Sequence, residues 1–537
     1  MTQTASEDIV NYRLWPFFIV FFGACSRILG GGSDSYWLDE VLTLRTVNGG
    51  WTVALGLKDH PPLMYWISTA ITNLTVESEL TLRFVSIIGG IIAIPLIIEF
   101  GRFFLDRTSG LLAGILLALS PFHLRYSHEA RHYALMMALT LAATYFMCRA
   151  ISTSKNSRQT AWWIAFAVAS ALSMYTHYAA CLVFATHCGV IGFVWLRNWF
   201  RNRSVAIWPI IAISLTGLLY LPWLFQLYQS ISKNLQSAGT FQQERIVGIG
   251  DWPVQTAIAF GYSNGTVATL MVVLFFAGLG CMWIYNKRFQ ALVFASILLI
   301  PFGFIIGLQV TRAPLPKYVL FMLPSFLLAI SYSISTAIRL ASAGHQNRQR
   351  IVLVGVGLLI LLFGVGAIQT EYVRQERGWG EALNQWEALA EDGDIIMSFN
   401  LDLANGYNQG LVVAPLYLSG ENEAIEFVDG NFLRPETIEQ MPVDADLWAL
   451  IIDRHPPYPD SAENLVVEKF QGDLYLVSLK EKTDSTFDQL GQLLNIFIPL
   501  TTPPTPACLI HQNIAAHHYV AGEFEQVLAE FEIANSL

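Results

Sequence analysis

Apolar residues in this 537-residue chain arrive mostly in long uninterrupted runs rather than in alternation or in narrow helical stripes. A helix that crosses hydrocarbon needs about 20 mainly apolar residues. On that criterion the pattern predicts about eleven spans, near residues 14–30, 81–101, 108–122, 132–150, 160–176, 179–197, 206–229, 266–285, 290–310, 316–338 and 351–369. Ile351–Gln369 carries no charge at all, whereas 108–122 is short and meets Pro121 near its end. Two polar stretches between runs are long, 31–80 and 230–265, and long connections in a compact protein usually carry function or structure of their own. Within the first, Leu63–Ile71 is apolar but too short to span, which suits a helix lying at the membrane interface.

Beyond residue 370 the pattern changes. Trp379–Leu389 has helical periodicity, and Ile395–Phe399, Leu447–Ile452, Asn464–Phe470 and Leu474–Leu479 read as strands. The fold expected is an all-α polytopic membrane domain over 1–370, followed over 371–537 by a small soluble α/β domain. A helix pair over 513–534, hinged at Gly522, forms a terminal cap in this reading.

Composition agrees with lipid as the main solvent: 54% of residues are hydrophobic and 13% charged, where soluble proteins have about 25% charged. That excludes an ordinary soluble enzyme. The net charge of −10 and the lack of a basic stripe argue against a nucleic-acid partner. The distribution of charge also orients the chain. With a cytoplasmic N-terminus, each inside loop is basic: Arg102 and Arg107, Lys155 and Arg158, Arg197, Arg201 and Arg203, Lys287 and Arg288, Arg339, Arg348 and Arg350. Acidic side chains gather on the opposite loops, and an odd number of spans delivers the C-terminal domain to the extracytoplasmic side. Residues 1–12 are polar and lack a basic n-region, so 14–25 reads as a retained first span and not as a removed signal peptide. Five of the six cysteines fall in apolar runs, as core residues rather than a disulfide framework.

Four clusters could carry chemistry. Asp39 and Glu40 follow Tyr36-Trp37-Leu38 just outside the first span; adjacent carboxylates there serve equally as catalytic or metal-binding groups or as an acidic first turn that favours a helix dipole. His60 lies in Asp59-His60-Pro61-Pro62-Leu63, where two prolines start the interfacial helix and leave His60 near its N-terminus, a place suited to an anion. The loop before the span at 132–150 reads Ser120-Pro121-Phe122-His123 through Tyr133. Within it His128-Glu129-Ala130-Arg131-His132 matches the zinc-protease pattern, in which two histidines one helical turn apart ligate zinc beside a glutamate base. Arg312, Lys317 and Tyr318 precede the tenth span, where cations meet lipid phosphate or simply anchor a helix at headgroup level.

In order along residues 10–370, Trp37–Glu40, Asp59–Leu63, Arg83, Ser120–His123, Ser127–Leu135 and Lys317-Tyr318 before Leu323-Pro324 together resemble the polytopic glycosyltransferases that use lipid-phosphate sugars. This is the protein O-mannosyltransferase and aminoarabinose-transferase superfamily, with the GT-C fold. Trp379–Asp394 resembles the start of the outside domain of some bacterial members. The resemblance implies a polyprenyl-phosphate sugar donor, an extracytoplasmic reaction in a bacterial plasma membrane, inversion at the anomeric carbon, and a lipid, polysaccharide or protein acceptor. It implies Asp39 as the general base and Glu129 as a second acid that orients the acceptor or an arginine. It further implies that Arg131, Lys317 and Arg312, with His60 nearby, stabilise the leaving phosphate, and that Glu40, Tyr133 and Tyr318 line the substrate site.

A glutamine is frequent in the family where this chain has His128, so the zinc-like pattern arises from one substitution. Some relatives hold a divalent metal near the donor phosphate, which leaves His60 and Glu129 open as ligands without requiring a cofactor. Two other readings compete: a membrane zinc metalloprotease built on His128, Glu129 and His132, and a non-catalytic polyprenyl-lipid carrier, which would leave Asp39 without a task.

Overall fold

The computed structural model describes residues 9–32, 35–56, 60–153, 157–201, 207–238, 251–308, 316–342 and 345–375, then positions 382, 383, 385, 386 and 388 and five strands. Asp59, Arg312 and the expected helix pair over 513–534 lie outside the described residues. The chain divides into two compact units, one of Met1–Ser33 with Thr43–Val373 and one of Asp34–Leu42 with Arg374–Leu537.

The first unit is helical throughout. Its elements begin with α1 (Ile9–Leu29), α2 (Leu38–Asn48), whose first turns belong to the second unit, α3 (Gly50–Gly56), α4 (Leu63–Thr72) and α5 (Glu79–Phe104). There follow α6 (Arg107–Ala118), α7 (Pro121–Ser127), α8 (Tyr133–Ser152), α9 (Ser157–Met174), α10 (Ala179–Phe200), α11 (Trp208–Tyr220) and α12 (Leu224–Ala238). The series closes with α13 (Asp251–Phe260), α14 (Gly265–Ile284), α15 (Arg288–Leu308), α16 (Leu323–Ala341) and α17 (Gln346–Gln375). A tight 3-10 segment, Pro316–Met322, leads into α16.

Among the described residues, seven helical stretches are long and apolar enough to cross a membrane, against about eleven expected. This is an all-α, multi-spanning membrane protein. The interfacial helix expected over Leu63–Ile71 is α4, and the long connection that contains it also holds α2 and α3. The segment expected to span at 108–122 is instead two helices. Pro121 has no N–H to continue α6 and its ring blocks the preceding turn. Ser120 then caps a new start by accepting the His123 N–H at 3.3 Å, which turns the chain into the short α7. The structure thereby shortens the third span to the 12 residues of α6.

Helices α5, α6, α8, α14 and α16 form the packed centre of this unit. Small residues set the spacing: a Cβ at Gly110 would fall 2.5 Å from the Ile98 carbonyl oxygen and one at Gly101 2.6 Å from Gly110 Cα, so α5 and α6 meet backbone to backbone. Lipid has no preference for apolar helices over one another, so such close packing is what holds the bundle together. Cys25, Cys148, Cys181, Cys188 and Cys281 are free thiols.

The second unit contains a five-stranded sheet: β1 (Ile395–Asn400), β2 (Glu426–Asp429), β3 (Leu447–Ile452), β4 (Leu465–Phe470) and β5 (Leu474–Leu479), in the order β2-β1-β3-β5-β4. β2, β1 and β3 run parallel, with Ile395 opposite both Glu426 and Leu447, while β5 pairs antiparallel with β3 and β4. Four strands lie where alternating and apolar runs place them. β2 escapes that reading because it is four residues long with a carboxylate at each end. Ala382, Leu383, Gln385, Trp386 and Ala388 are helical, and Ala382, Leu383 and Trp386 are buried, as the periodicity over 379–389 implies.

Candidate functional site

The loop between α7 and α8 is held at its first end by the two outermost helices in sequence. Arg125 forms an ion pair with Glu371 near the end of α17 at 2.5 Å, across 246 positions of chain. Burial opposes the Arg125 charge, but the Glu371 carboxylate outweighs it and holds the guanidinium pKa above its ordinary value. Next to it, His128 donates its Nε2–H to the Arg27 carbonyl at 3.0 Å and stacks on Tyr372 with ring centres 5.7 Å apart. Tyr372 in turn donates to the Ser26 carbonyl. Arg27 itself is fully buried and bonds the Ala118 and Leu117 carbonyls, each at 3.1 Å, and His123 Nδ1 at 2.8 Å. The guanidinium thus caps the exposed carbonyl end of α6, where the helix dipole favours a cation.

At its other end the same loop faces a cluster drawn from four connections. His60 precedes α4, Arg131 and His132 precede α8, His177 lies between α9 and α10, and Lys317 with Tyr318 precedes α16. Arg131 Nη2 donates to His60 Nε2 at 3.3 Å, which places the His60 proton on Nδ1. Its Nη1 reaches Thr43 Oγ1 at 3.5 Å, and its carbonyl accepts from Ser86 at 2.8 Å. The His132 ring lies 5.0 Å from His60 and 4.5 Å from His177. Lys317 Nζ stands 5.6 Å over the Tyr133 ring and 5.8 Å from that of Tyr318, and the two tyrosines are 6.1 Å apart, edge to face. The Leu63 N–H donates to the Tyr175 carbonyl at 3.0 Å, which ties the start of α4 to the end of α9.

Electrostatically the cluster has fixed cations and neutral imidazoles. Burial first, then Arg131 and Lys317, pushes the His60 pKa down to about 3. Burial, with His60 and the same two cations, lowers His177 to about 3, and burial with His177, His60 and both cations takes His132 well below the ordinary range. The arrangement presents positive charge from Arg131 and Lys317 beside groups that hydrogen-bond without charge, at the N-termini of α4, α8 and α10. Its natural complement is an anion.

Of the residues singled out in the sequence, His60, Arg131, Tyr133, Lys317 and Tyr318 come together here, joined by His132 and His177. His177 went unread; it stands in Thr176-His177-Tyr178, a connection that the alternation of spans puts on the same side as His60 and Arg131. Glu129 is buried and adds to the negative field on Arg125, so it belongs also to the anchored end of the loop. Asp39 and Glu40 occupy the first turn of α2 within the second unit. Glu40 is buried and its Oε2 accepts the Trp37 N–H at 3.3 Å, so one carboxylate of the pair caps its own helix.

The zinc-protease pattern does not assemble. It requires His128 and His132 on one face of one helix, but α7 ends at Ser127, α8 starts at Tyr133, and the residues between are bent. His128 turns to Arg27 and Tyr372, and His132 to His60 and His177. Among the described residues no three His, Cys, Asp or Glu side chains are arranged to hold a metal ion. His60 and Glu129 do not form part of such a set among the described residues.

The family model for dolichyl-phosphate-mannose-protein mannosyltransferases matches residues 59–225, which include His60, the α7–α8 loop and His177. No curated protein matches the sequence. The fold is similar to that of ArnT from Cupriavidus metallidurans in the apo state, at 12% identity and TM-score 0.55, over 91% of this chain and 99% of that one. It is also similar to ArnT from Cupriavidus metallidurans bound to undecaprenyl phosphate, at 13% identity and TM-score 0.52, with the same coverage. The archaeal oligosaccharyltransferase AglB from Archaeoglobus fulgidus, in complex with an inhibitory peptide and a dolichol-phosphate, aligns at 12% identity and TM-score 0.50 over 83% of this chain and 70% of that one.

Proposed function

We propose that this chain is a polyprenyl-phosphate-dependent glycosyltransferase of the GT-C fold, an inverting transferase that moves a monosaccharide from a polyprenyl-phosphate donor to an acceptor hydroxyl. The observation that carries the reading is the convergence of Arg131 and Lys317 with His60, His132 and His177, a cationic site for an anion at the ends of apolar helices. A related fold binds undecaprenyl phosphate, whose single phosphate group suits two fixed cations.

In this mechanism Asp39 takes the proton from the acceptor hydroxyl as its oxygen attacks the anomeric carbon. The bond from that carbon to the phosphate oxygen breaks on the opposite face, and the lipid phosphate leaves with the electron pair. Arg131 and Lys317 stabilise the charge gathering on it, and His60, kept neutral, donates from Nδ1. Tyr133 and Tyr318 both lie within cation–π range of Lys317 and help to position it. Arg312 is assigned to the same phosphate, and Glu129 to orienting Arg131 or the acceptor.

We place the protein in the plasma membrane with its N-terminus cytoplasmic, residues 1–370 as the transferase domain, and residues 371–537 as a soluble extracytoplasmic domain that shapes acceptor choice. The test is transfer of radiolabelled sugar from a polyprenyl-phosphate donor in membranes from a strain lacking the protein. Wild-type chain is expected to restore transfer, and Asp39→Asn to abolish it while still binding the donor. Donor binding without turnover in the wild type would make the chain a lipid carrier instead.

A further inference from the structure

We infer that His177 is a ligand-binding residue of this site, and that it holds a phosphoryl oxygen of the lipid donor through its Nε2–H. The inference rests on the reading of the cluster as a lipid-phosphate site, and it adds a contact which neither the charge pattern nor any motif of the chain supplies.

Three observations lead to it. First, the Ala179 N–H donates to His177 Nδ1 at 3.0 Å, in the first turn of α10. A neutral imidazole that accepts at Nδ1 carries its proton on Nε2, so the tautomer is set by the backbone and the distal nitrogen can only donate. Second, His132, whose ring is 4.5 Å from His177, is fully buried, and among the described residues neither of its ring nitrogens meets a hydrogen-bond partner. A buried imidazole left in that state costs stability unless a polar ligand completes it. Third, α4 and α8 begin at this cluster without a side-chain cap from their N-cap residues, and α10 begins beside them, so the positive ends of these helix dipoles lie at the cluster. Arg131 and Lys317 supply the charge and select an anion; His177 supplies a directed proton at a fixed angle, which selects an oxygen on that anion and orients it.

The experiment measures binding of a short-chain polyprenyl monophosphate, and of the corresponding unphosphorylated polyprenol, to the full chain in detergent. His177→Asn keeps an oxygen where Nδ1 accepts the Ala179 N–H, so it preserves the start of α10, but it lacks the distal donor. It is expected to melt with the wild type and to bind the phosphate about tenfold or more weakly. His177→Gln places an amide N–H near the position of Nε2 and is expected to bind within about threefold of wild type. Polyprenol binding is expected to be the same in all three proteins. Wild-type phosphate affinity in His177→Asn would overturn the inference, as would equal losses in Asn and Gln, since the donated proton would then not be the cause. A wild-type protein that binds phosphate and polyprenol alike would instead overturn the lipid-phosphate reading itself.

Discussion

The two ends of the α7–α8 loop use the same residue types for opposite purposes. At the first end Arg125 has Glu371 and His128 has a backbone carbonyl and a tyrosine ring, so charge and imidazole are consumed by the structure. At the second end, six residues on, Arg131 donates to the neutral acceptors His60 and Thr43, and neither ring nitrogen of His132 has a hydrogen-bond partner among the described residues. The difference lies in what closes each end. α17 supplies a carboxylate to the first, whereas the segments packed around the second bring more cations and more histidines. An arginine with its acid in place is a bolt. Arg131 stands among neutral imidazoles beside Lys317, and under the proposed function it is this end that receives the donor phosphate.

Substitutions at the two ends are expected to separate activity from stability. Arg131→Gln removes one of two fixed cations and is expected to lower kcat/KM for sugar transfer by about 100-fold or more, with the melting temperature in detergent near that of the wild type. Equal losses of stability and activity would erase the distinction between the ends. Glu371→Gln should do the reverse and destabilise the protein by about 3 kcal/mol, because it leaves the Arg125 guanidinium buried without its partner. Replacing both members together, Arg125→Met with Glu371→Leu, is expected to recover most of that loss, as judged by thermal unfolding.

Acid should act on the site through its histidines. His60 and His177 have folded pKa values of about 3 against an ordinary 6.5, so between those limits the unfolded chain takes up protons that the folded chain refuses. The sign follows: stability is full above pH 6.5 and falls as the pH drops towards 3. Within that window each histidine contributes a slope of at most about 1.4 kcal/mol per pH unit. Melting curves from pH 7 to 5 should show it, and His177→Gln should make them shallower. Smallest of all, His128→Phe keeps the stacking on Tyr372 and loses the bond to the Arg27 carbonyl, at a cost of about 1 kcal/mol with transfer intact. Loss of transfer in that variant would restore a chemical role to the zinc-like motif.

How far the sequence could be read follows the range of the forces involved. α4 was visible because a ten-residue apolar run behind two prolines states its own limits, and β1, β3, β4 and β5 because each is a short, mainly apolar or alternating run in the sequence. The cationic half of the site was legible in Arg131, Lys317 and His60 as isolated charges on one side of the membrane. The histidine pattern from 128 to 132 misled because spacing implies one helix face only if the residues are helical, and Pro121 had already ended α6 and begun a helix that stops at Ser127. Arg27 carried no local sign of its role, since its distant acceptors Leu117, Ala118 and His123 lie ninety or more positions away.

Two neighbouring spans mark the boundary. The sequence ranks α17 as the more hydrophobic, and that is decided locally by water, lipid and side-chain transfer energy, so solvent and span are read directly from it. Yet 94% of the apolar window that ends in α16 is buried against protein, and only 11% of that in α17. Which span is central, which histidine is bonded and which is left open are settled by contacts between residues far apart in the chain. Hydrophobicity is a property of each residue and survives in the sequence. Partnership is a property of pairs, and it exists only once close packing has brought them together.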